Sequence, residues 1–200
     1  MNLETVVRED ERLLQTLQTL PANADAFIRP VVAKVKLLWD CNLSCRFCRL
    51  PSDQSMMSLA TVRLLLDQLH AAGCIKVHFT GGEIFLHPSI RDILYHAAGL
   101  GMQINMTTNG TLVDKQIARY LAETGVHSVT ISLDSSDPSL HDRLRGVKGA
   151  FKRSTKALKL LSRHRLRLQV NTVVLRENAS TLDALHDFLK RTDPAIRWNL

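Results

Sequence analysis

Three cysteines, Cys41, Cys45 and Cys48, fall within the stretch "DCNLSCRFCRLP" with the spacing C-x3-C-x2-C, and the chain has one other, Cys74. Close-set thiols of this kind are metal ligands or redox groups more often than a disulfide framework. A structural zinc site asks for four ligands in a closed tetrahedron. No histidine lies in the loop, and Cys74 falls at the far end of an expected helix, where it reads as a small buried apolar residue. Three thiolates leave one coordination position open, which is a catalytic rather than a structural arrangement. A cubane [4Fe-4S] cluster suits such a set, because three irons are tied down and the fourth is left for an exogenous ligand.

Further polar clusters follow downstream: "TGGE" at 80–83, "TTNG" at 107–110 and "SLD" at 132–134. The elements between them explain how they could meet. "VVAKVKLLW" reads as a strand running into the cysteine loop, and "SLATVRLLLDQLHAAG" as a helix capped by Ser58 and stopped by Gly73. "IKVHFTGG" is the next strand, followed by a helix from Pro88 to about Leu100. "QINMTTNG" is a strand, "DKQIARYLAETG" a helix and "SVTISLD" a strand. Then come a polar loop, a basic helix, the strand "LRLQVNTVV", the helix "STLDALHDFLK" and a last strand, "AIRWNL". About six strands with five intervening helices predict an α/β fold with a parallel sheet and right-handed crossovers. Each polar cluster sits at the C-terminal end of a strand, the edge on which parallel α/β folds place their ligands.

Two hundred residues with 45% hydrophobic content suit one domain with a sizeable core. No stretch has the length of a membrane span and no apolar signal core opens the chain, so a cytoplasmic location is expected. The first twenty residues read instead as an acidic-leaning amphipathic helix. The net charge is +7, and between His141 and Val170 ten Lys and Arg face a single acid, Asp142. Lys152, Lys156, Lys159 and Arg163 recur at near-helical spacing opposite Phe151, Leu158 and Leu161, which reads as a solvated outer helix face. No aromatic residues interleave with these charges, so a nucleic-acid surface is disfavoured.

Taken together, the cysteine spacing and the strand-end clusters resemble the radical S-adenosylmethionine (SAM) superfamily from about Val31 onward. The resemblance is to the branch that contains molybdopterin-precursor synthase, sulfatase-maturing and peptide-modifying enzymes. It implies a partial (β/α)6 TIM-like barrel, with Cys41, Cys45 and Cys48 holding a [4Fe-4S] cluster and SAM chelating the open iron. It implies that Phe47 lies by the adenine and that Gly81, Gly82 and Glu83 hold the SAM amino group. Thr108 and Asn109 would face the pocket, Ser132 would contact SAM, and Arg145 would meet its carboxylate. Asp134 would touch the ribose or cap a turn, and Asn171 would point into the barrel mouth. Family members usually have proline after the glutamate; here it is Ile84. Trp39 and Trp198 read as core or rim residues.

The expected organisation is an N-terminal helical extension and linker over 1–30 and a radical SAM core over 31–200. The chain is short at its C-terminus, ending on the sixth strand without the further cysteines that relatives use for auxiliary clusters. It reads as a fragment, a short form or a chain whose end a partner covers. The resemblance implies an enzyme that makes a 5′-deoxyadenosyl radical and abstracts hydrogen from an organic small molecule or a peptide, in cofactor biosynthesis or peptide modification. Flavodoxin or ferredoxin would serve as the external one-electron reductant. The alternatives are a truncated, non-catalytic cluster- and SAM-binding regulator or scaffold and a zinc-binding nucleic-acid interaction module.

Overall fold

The computed structural model describes residues 30–49 and 55–200; the extension expected over 1–30 lies outside them except for its last residue. Among the described residues six parallel strands form one sheet in chain order: β1 (Val32–Lys36), β2 (Lys76–Thr80), β3 (Gln103–Thr108), β4 (Ser128–Ser132), β5 (Arg167–Asn171) and β6 (Arg197–Asn199). β1 and β6 are the edges, and no pairing between them closes the sheet. The connecting helices are α1 (Leu59–Ala71), α2 (Ile90–Gly99), α3 (Lys115–Glu123), α4 (Pro138–Arg145), α5 (Ala150–Arg163) and α6 (Leu182–Thr192). Single 3-10 turns occupy Ile84–Leu86 and Ala179–Thr181. The strand-helix alternation therefore builds the partial barrel expected from the sequence. No helix among the described residues is long and apolar enough to cross a membrane.

One correction concerns the stretch after β4. It was expected to be a polar loop, and residues 138–145 form α4 instead. The Asp137 carboxylate accepts from the backbone N–H groups of Ser139 and Leu140, Pro138 occupies the first turn, and Gly146 ends the helix in the left-handed conformation. These are standard start and stop signals, present in a segment too short and too polar to show a periodic apolar face. Ser58 caps α1 as expected, its hydroxyl accepting from the Thr61 N–H at 3.1 Å. The basic side of α5 is exposed at Lys152, Lys156, Lys159 and Arg163, while Leu158 and Leu161 are buried. Cys74 is buried as well, its thiol donating to the Lys76 carbonyl at 3.3 Å.

The two faces of the sheet differ completely. Val77 and Phe79, Ile104 and Met106, Val129 and Ile131, and Leu168 and Val170 are all buried against the helices. Burying each such side chain contributes about 1.5–3 kcal/mol. On the concave side, neighbouring residues stay in register from strand to strand, as in the row Lys34, His78, Asn105, Ser128, Arg167. Both edges of the open sheet flank this polar face, and the cysteine loop stands at its top.

Candidate functional site

The loop leaving β1 is held from two sides. On the first, the turn after β2 lies against it: the Gly82 N–H donates to the Leu38 carbonyl at 2.9 Å and the Glu83 N–H to the Asp40 carbonyl at 2.8 Å. A Cβ on Gly81 would stand 2.5 Å from the Leu38 carbonyl, and one on Gly82 would collide with that of Asp40. The sequence suggested that these glycines admit a ligand; the backbone they admit most closely is that of the cysteine loop itself. Glu83 is fully buried. Its carboxylate accepts from the Thr108 hydroxyl (2.7 Å), the Asn109 N–H (2.7 Å) and the Phe85 N–H (3.2 Å). Burial pushes the carboxyl up from the usual glutamate range, and these three donors pull it back.

The bracket made by Glu83 passes to Cys41 through amides. Asn109 Nδ2 donates to Asn42 Oδ1 at 2.8 Å and lies 3.9 Å from Cys41 Sγ. Asn42 Nδ2 donates to the Thr111 hydroxyl, and Asn109 Oδ1 accepts from the Thr111 N–H and hydroxyl. The Ser154 hydroxyl, from α5, donates to the Asn109 carbonyl at 2.7 Å.

On the second side the loop docks on the end of α4. The Ser44 N–H donates to the Arg145 carbonyl (3.2 Å) and the Arg46 N–H to the Leu144 carbonyl (3.1 Å). Carbonyls in the last turn of a helix have no partner within it, and the loop supplies one. Gly146 has φ +71° and lies so close to Ser44 that a Cβ there would strike its carbonyl. Arg145 forks onto Asp134, with Nε 2.7 Å from Oδ2 and Nη2 donating to Oδ1 at 2.9 Å. The third guanidinium nitrogen, Nη1, is 3.8 Å from Cys45 Sγ, and the group lies over the Phe47 ring, 5.2 Å from its centroid.

Further contacts tie this corner to β5. Asp134 Oδ1 accepts from the Val173 N–H (3.1 Å), and the Asp134 N–H donates to His141 Nδ1 (3.2 Å). Asn178, fully buried, donates from Nδ2 to the carbonyls of Asp134 and Val173. Sequence reasoning missed Asn42, His141 and Asn178, whose partners lie across the fold and carry no local signal.

Cys41, Cys45 and Cys48 open on one cavity of about 350 Å³. Its walls include the expected residues Phe47, Gly81, Gly82, Thr108, Asn109, Ser132 and Arg145, together with Lys36, Thr80 and Thr107, which the sequence reading did not single out. Glu83 and Asp134 stand behind the wall, both at 0% exposure. Asn171 is exposed at the top of β5, level with Ser132, and its Oδ1 accepts from Asn199 Nδ2. Trp39 lies beneath the Lys36 ammonium at 4.1 Å, and Trp198 Nε1 donates to the Thr172 hydroxyl, both rim positions.

Burial pushes the thiols of Cys41 and Cys45 up, with Arg145 opposing the rise at Cys45. No three His, Cys, Asp or Glu side chains among the described residues are closed into a metal-holding set. The chemistry of the donors nevertheless fits a cluster bound at three corners: three thiols face one cavity, no further Cys or His lines it, and N–H donors stand near two of the sulfurs.

The model of the radical SAM superfamily matches residues 40–189. The chain belongs to the radical SAM superfamily. Its relatives include the AdoMet-dependent heme synthase of Oleidesulfovibrio alaskensis, 33% identical over 142 residues, which cover 69% of this chain and 37% of that protein. The antilisterial bacteriocin subtilosin biosynthesis protein AlbA of Bacillus subtilis is 31% identical over 174 residues, covering 85% and 38%. The chain thus spans less than two fifths of either relative. Streptococcus suis SuiB bound to S-adenosylmethionine shares the fold, with a TM-score of 0.75 and 21% identity over 99% of this chain and 44% of that one. The cofactors of the radical SAM family are a [4Fe-4S] cluster and SAM.

Proposed function

We propose that this radical SAM protein is an enzyme in which Cys41, Cys45 and Cys48 hold the [4Fe-4S] cluster. SAM would sit on the open iron against Phe47, Gly81, Gly82, Thr108, Asn109, Ser132 and Arg145. The observation that carries this reading is the single cavity onto which all three thiols and these residues open. When bound, the pair supplies reductive cleavage of the SAM C5′–S bond and a 5′-deoxyadenosyl radical that abstracts hydrogen from an organic substrate.

The chain's own groups do the holding. Asn109 Nδ2 and Arg145 Nη1 offer N–H to the Cys41 and Cys45 sulfurs, which favours their deprotonated, ligating form. Glu83 and Asp134 act from behind, as braces that set the walls. Arg145 keeps Nη1 as its one nitrogen not directed at Asp134, so a SAM carboxylate would compete with Cys45 for it. Asn171, above the concave face, would meet the substrate rather than the cluster. The substrate is an organic small molecule or a peptide, in line with relatives named for heme synthesis and for subtilosin biosynthesis. A flavodoxin or ferredoxin would deliver the electron.

The test is anaerobic reconstitution of the full chain with iron and sulfide, followed by measurement of 5′-deoxyadenosine after adding SAM and dithionite. The expected result is 5′-deoxyadenosine formation that is lost, together with bound iron, in Cys45→Ala. A cluster that forms and never cleaves SAM would make the chain a scaffold. Stoichiometric zinc without iron or acid-labile sulfide would make it a zinc module.

A further inference from the structure

The inward positions of β2 to β6 are occupied by Lys, Arg, His, Asn, Gln, Ser and Thr, with no aliphatic residue among them. The interior of a parallel barrel is ordinarily packed by layers of branched aliphatic side chains. A polar interior cannot collapse in that way, so it is kept for water or a ligand. The charge on it is one-sided. Lys34, Lys36, Lys76, Arg167 and Arg197 stand at inward strand positions, and none of those positions carries Asp or Glu.

At the lower end of this trough lies a second cavity, of about 460 Å³, lined by Lys76, Arg167 and Arg197 among others. Asp193 is its one carboxylate among the described residues, set against Lys76, Arg165, Arg167 and Arg197, and it accepts from the Ser162 hydroxyl (2.6 Å) and the Ala195 N–H (2.9 Å). His78, between the two cavities, is 2.7 Å from the Thr107 hydroxyl. Burial and the neighbouring Lys34 hold its imidazole below the ordinary range, so it adds a neutral hydrogen-bonding group to the cationic floor.

We infer that the concave face binds a polyanionic substrate, one bearing two or more carboxylate or phosphate groups. These would lie roughly 13 Å below the cysteine cavity, the length of four strand residues from Thr80 to Lys76. The inference rests on the proposed function only for the place of the reacting carbon, at the cysteine end. Half-buried cations such as Lys76 and Arg167 attract an anion more strongly than charges on an open surface, where water and salt screen them. Helix α5 supplies that open surface: Lys152, Lys156 and Lys159 are exposed on the outside of the same protein.

The two sets of lysines give the experiment its internal control. The full chain, reconstituted with its cluster, is acetylated briefly and the extent at each lysine is read by mass spectrometry. The arms contain 1,2,3-propanetricarboxylate, inorganic pyrophosphate, the uncharged propane-1,2,3-tricarboxamide, or no addition. Lys34, Lys36 and Lys76 become less reactive with one or both anions and not with the triamide, while Lys152, Lys156 and Lys159 do not change. Protection by the tricarboxylate alone assigns carboxylates, and stronger protection by pyrophosphate assigns phosphates. The double variant Lys34→Gln/Lys76→Gln, at positions that are exposed and half-buried, keeps its thermal unfolding and raises the half-protecting anion concentration at Lys36 by about tenfold. Equal protection of the outer lysines, or no protection in a protein that still cleaves SAM, overturns the inference and leaves the proposed function standing.

Discussion

The Cys41 side and the Cys45 side of the cysteine loop are secured by unlike chemistry. Around Cys41 the partners are amides and hydroxyls of Asn42, Asn109 and Thr111, backed by the single carboxylate of Glu83. Around Cys45 they are a buried ion pair, Asp134 and Arg145, backed by His141 and Asn178. A neutral network loses its members one at a time, each hydrogen bond being worth about 0.5–1.5 kcal/mol. An ion pair excluded from water fails all at once, because removing either partner strands the other charge.

The largest effect should therefore come from Asp134→Ala, which leaves the Arg145 guanidinium, 8% exposed, without its counter-charge. Chemical denaturation is expected to show a loss of about 3–5 kcal/mol. Asn42→Ala, on the opposite side, should cost about 1 kcal/mol. Equal losses in the two variants would remove the distinction between the two sides.

Steric changes test the same two sides at the backbone. In Gly82→Ala the new Cβ meets the Asp40 carbonyl, and in Gly146→Ala it meets the Ser44 carbonyl at a positive φ. Each should cost about 1–3 kcal/mol. Both variants should also bind less iron per chain after reconstitution, because each displaces backbone next to a ligand cysteine. Gly82→Ala with full iron content would show that the Cys41 side yields without disturbing the thiols.

The sheet, its order and the strand-end placement of the site were legible in the sequence because they follow from local signals. Apolar runs alternate with capped amphipathic helices, and Ser58 or Asp114 marks a helix start whatever the rest of the chain does. Cys41, Cys45, Cys48 and Phe47 were legible because they lie within one loop. Helix α4 was missed although Asp137, Pro138 and Gly146 announce it, since eight polar-rich residues offer too little periodicity. The packing of Gly82 was hidden for a different reason: that it faces Asp40 is a property of two loops whose residues lie 42 positions apart. Likewise no sequence pattern shows that Glu83 and Asp134 turn into the protein, because their partners, Thr108 and Arg145, are met only when the strands align.

Acid gives a way to read the two sides separately, since Glu83 on one and His141 on the other are buried groups shifted with opposite linkage. Burial, aided by Arg145 and opposed by Asp142, lowers His141 from 6.5 to about 3. Between those values the unfolded chain binds a proton that the folded one does not, so this group makes the protein less stable as pH falls from 6.5 toward 3. Glu83 is raised above 4.5, so from 4.5 upward the folded chain holds the extra proton and stability declines as pH rises through its folded value. The two contributions oppose each other from 4.5 upward, for as long as Glu83 keeps its proton in the folded chain. In urea titrations across this window, His141→Gln should tilt the stability curve toward acid and Glu83→Gln should tilt it toward neutral pH. Parallel curves for the two variants would show that neither buried group governs the pH dependence of its side.

The smallest expected effect marks the outer limit of the Cys45 side. Arg46, between Cys45 and Cys48, lies 3.6 Å from Glu177, with side chains 58% and 44% exposed. The pair has the same charges as Arg145 and Asp134, so charge type alone would predict a similar contribution. Solvent makes the difference: water already stabilises both ions and screens their attraction, leaving typically under about 1 kcal/mol. Glu177→Gln should shift the unfolding midpoint within the scatter of repeated melts at moderate salt. A loss approaching that of Asp134→Ala would mean that the Cys45 side is held by its net charge rather than by the exclusion of water from one ion pair.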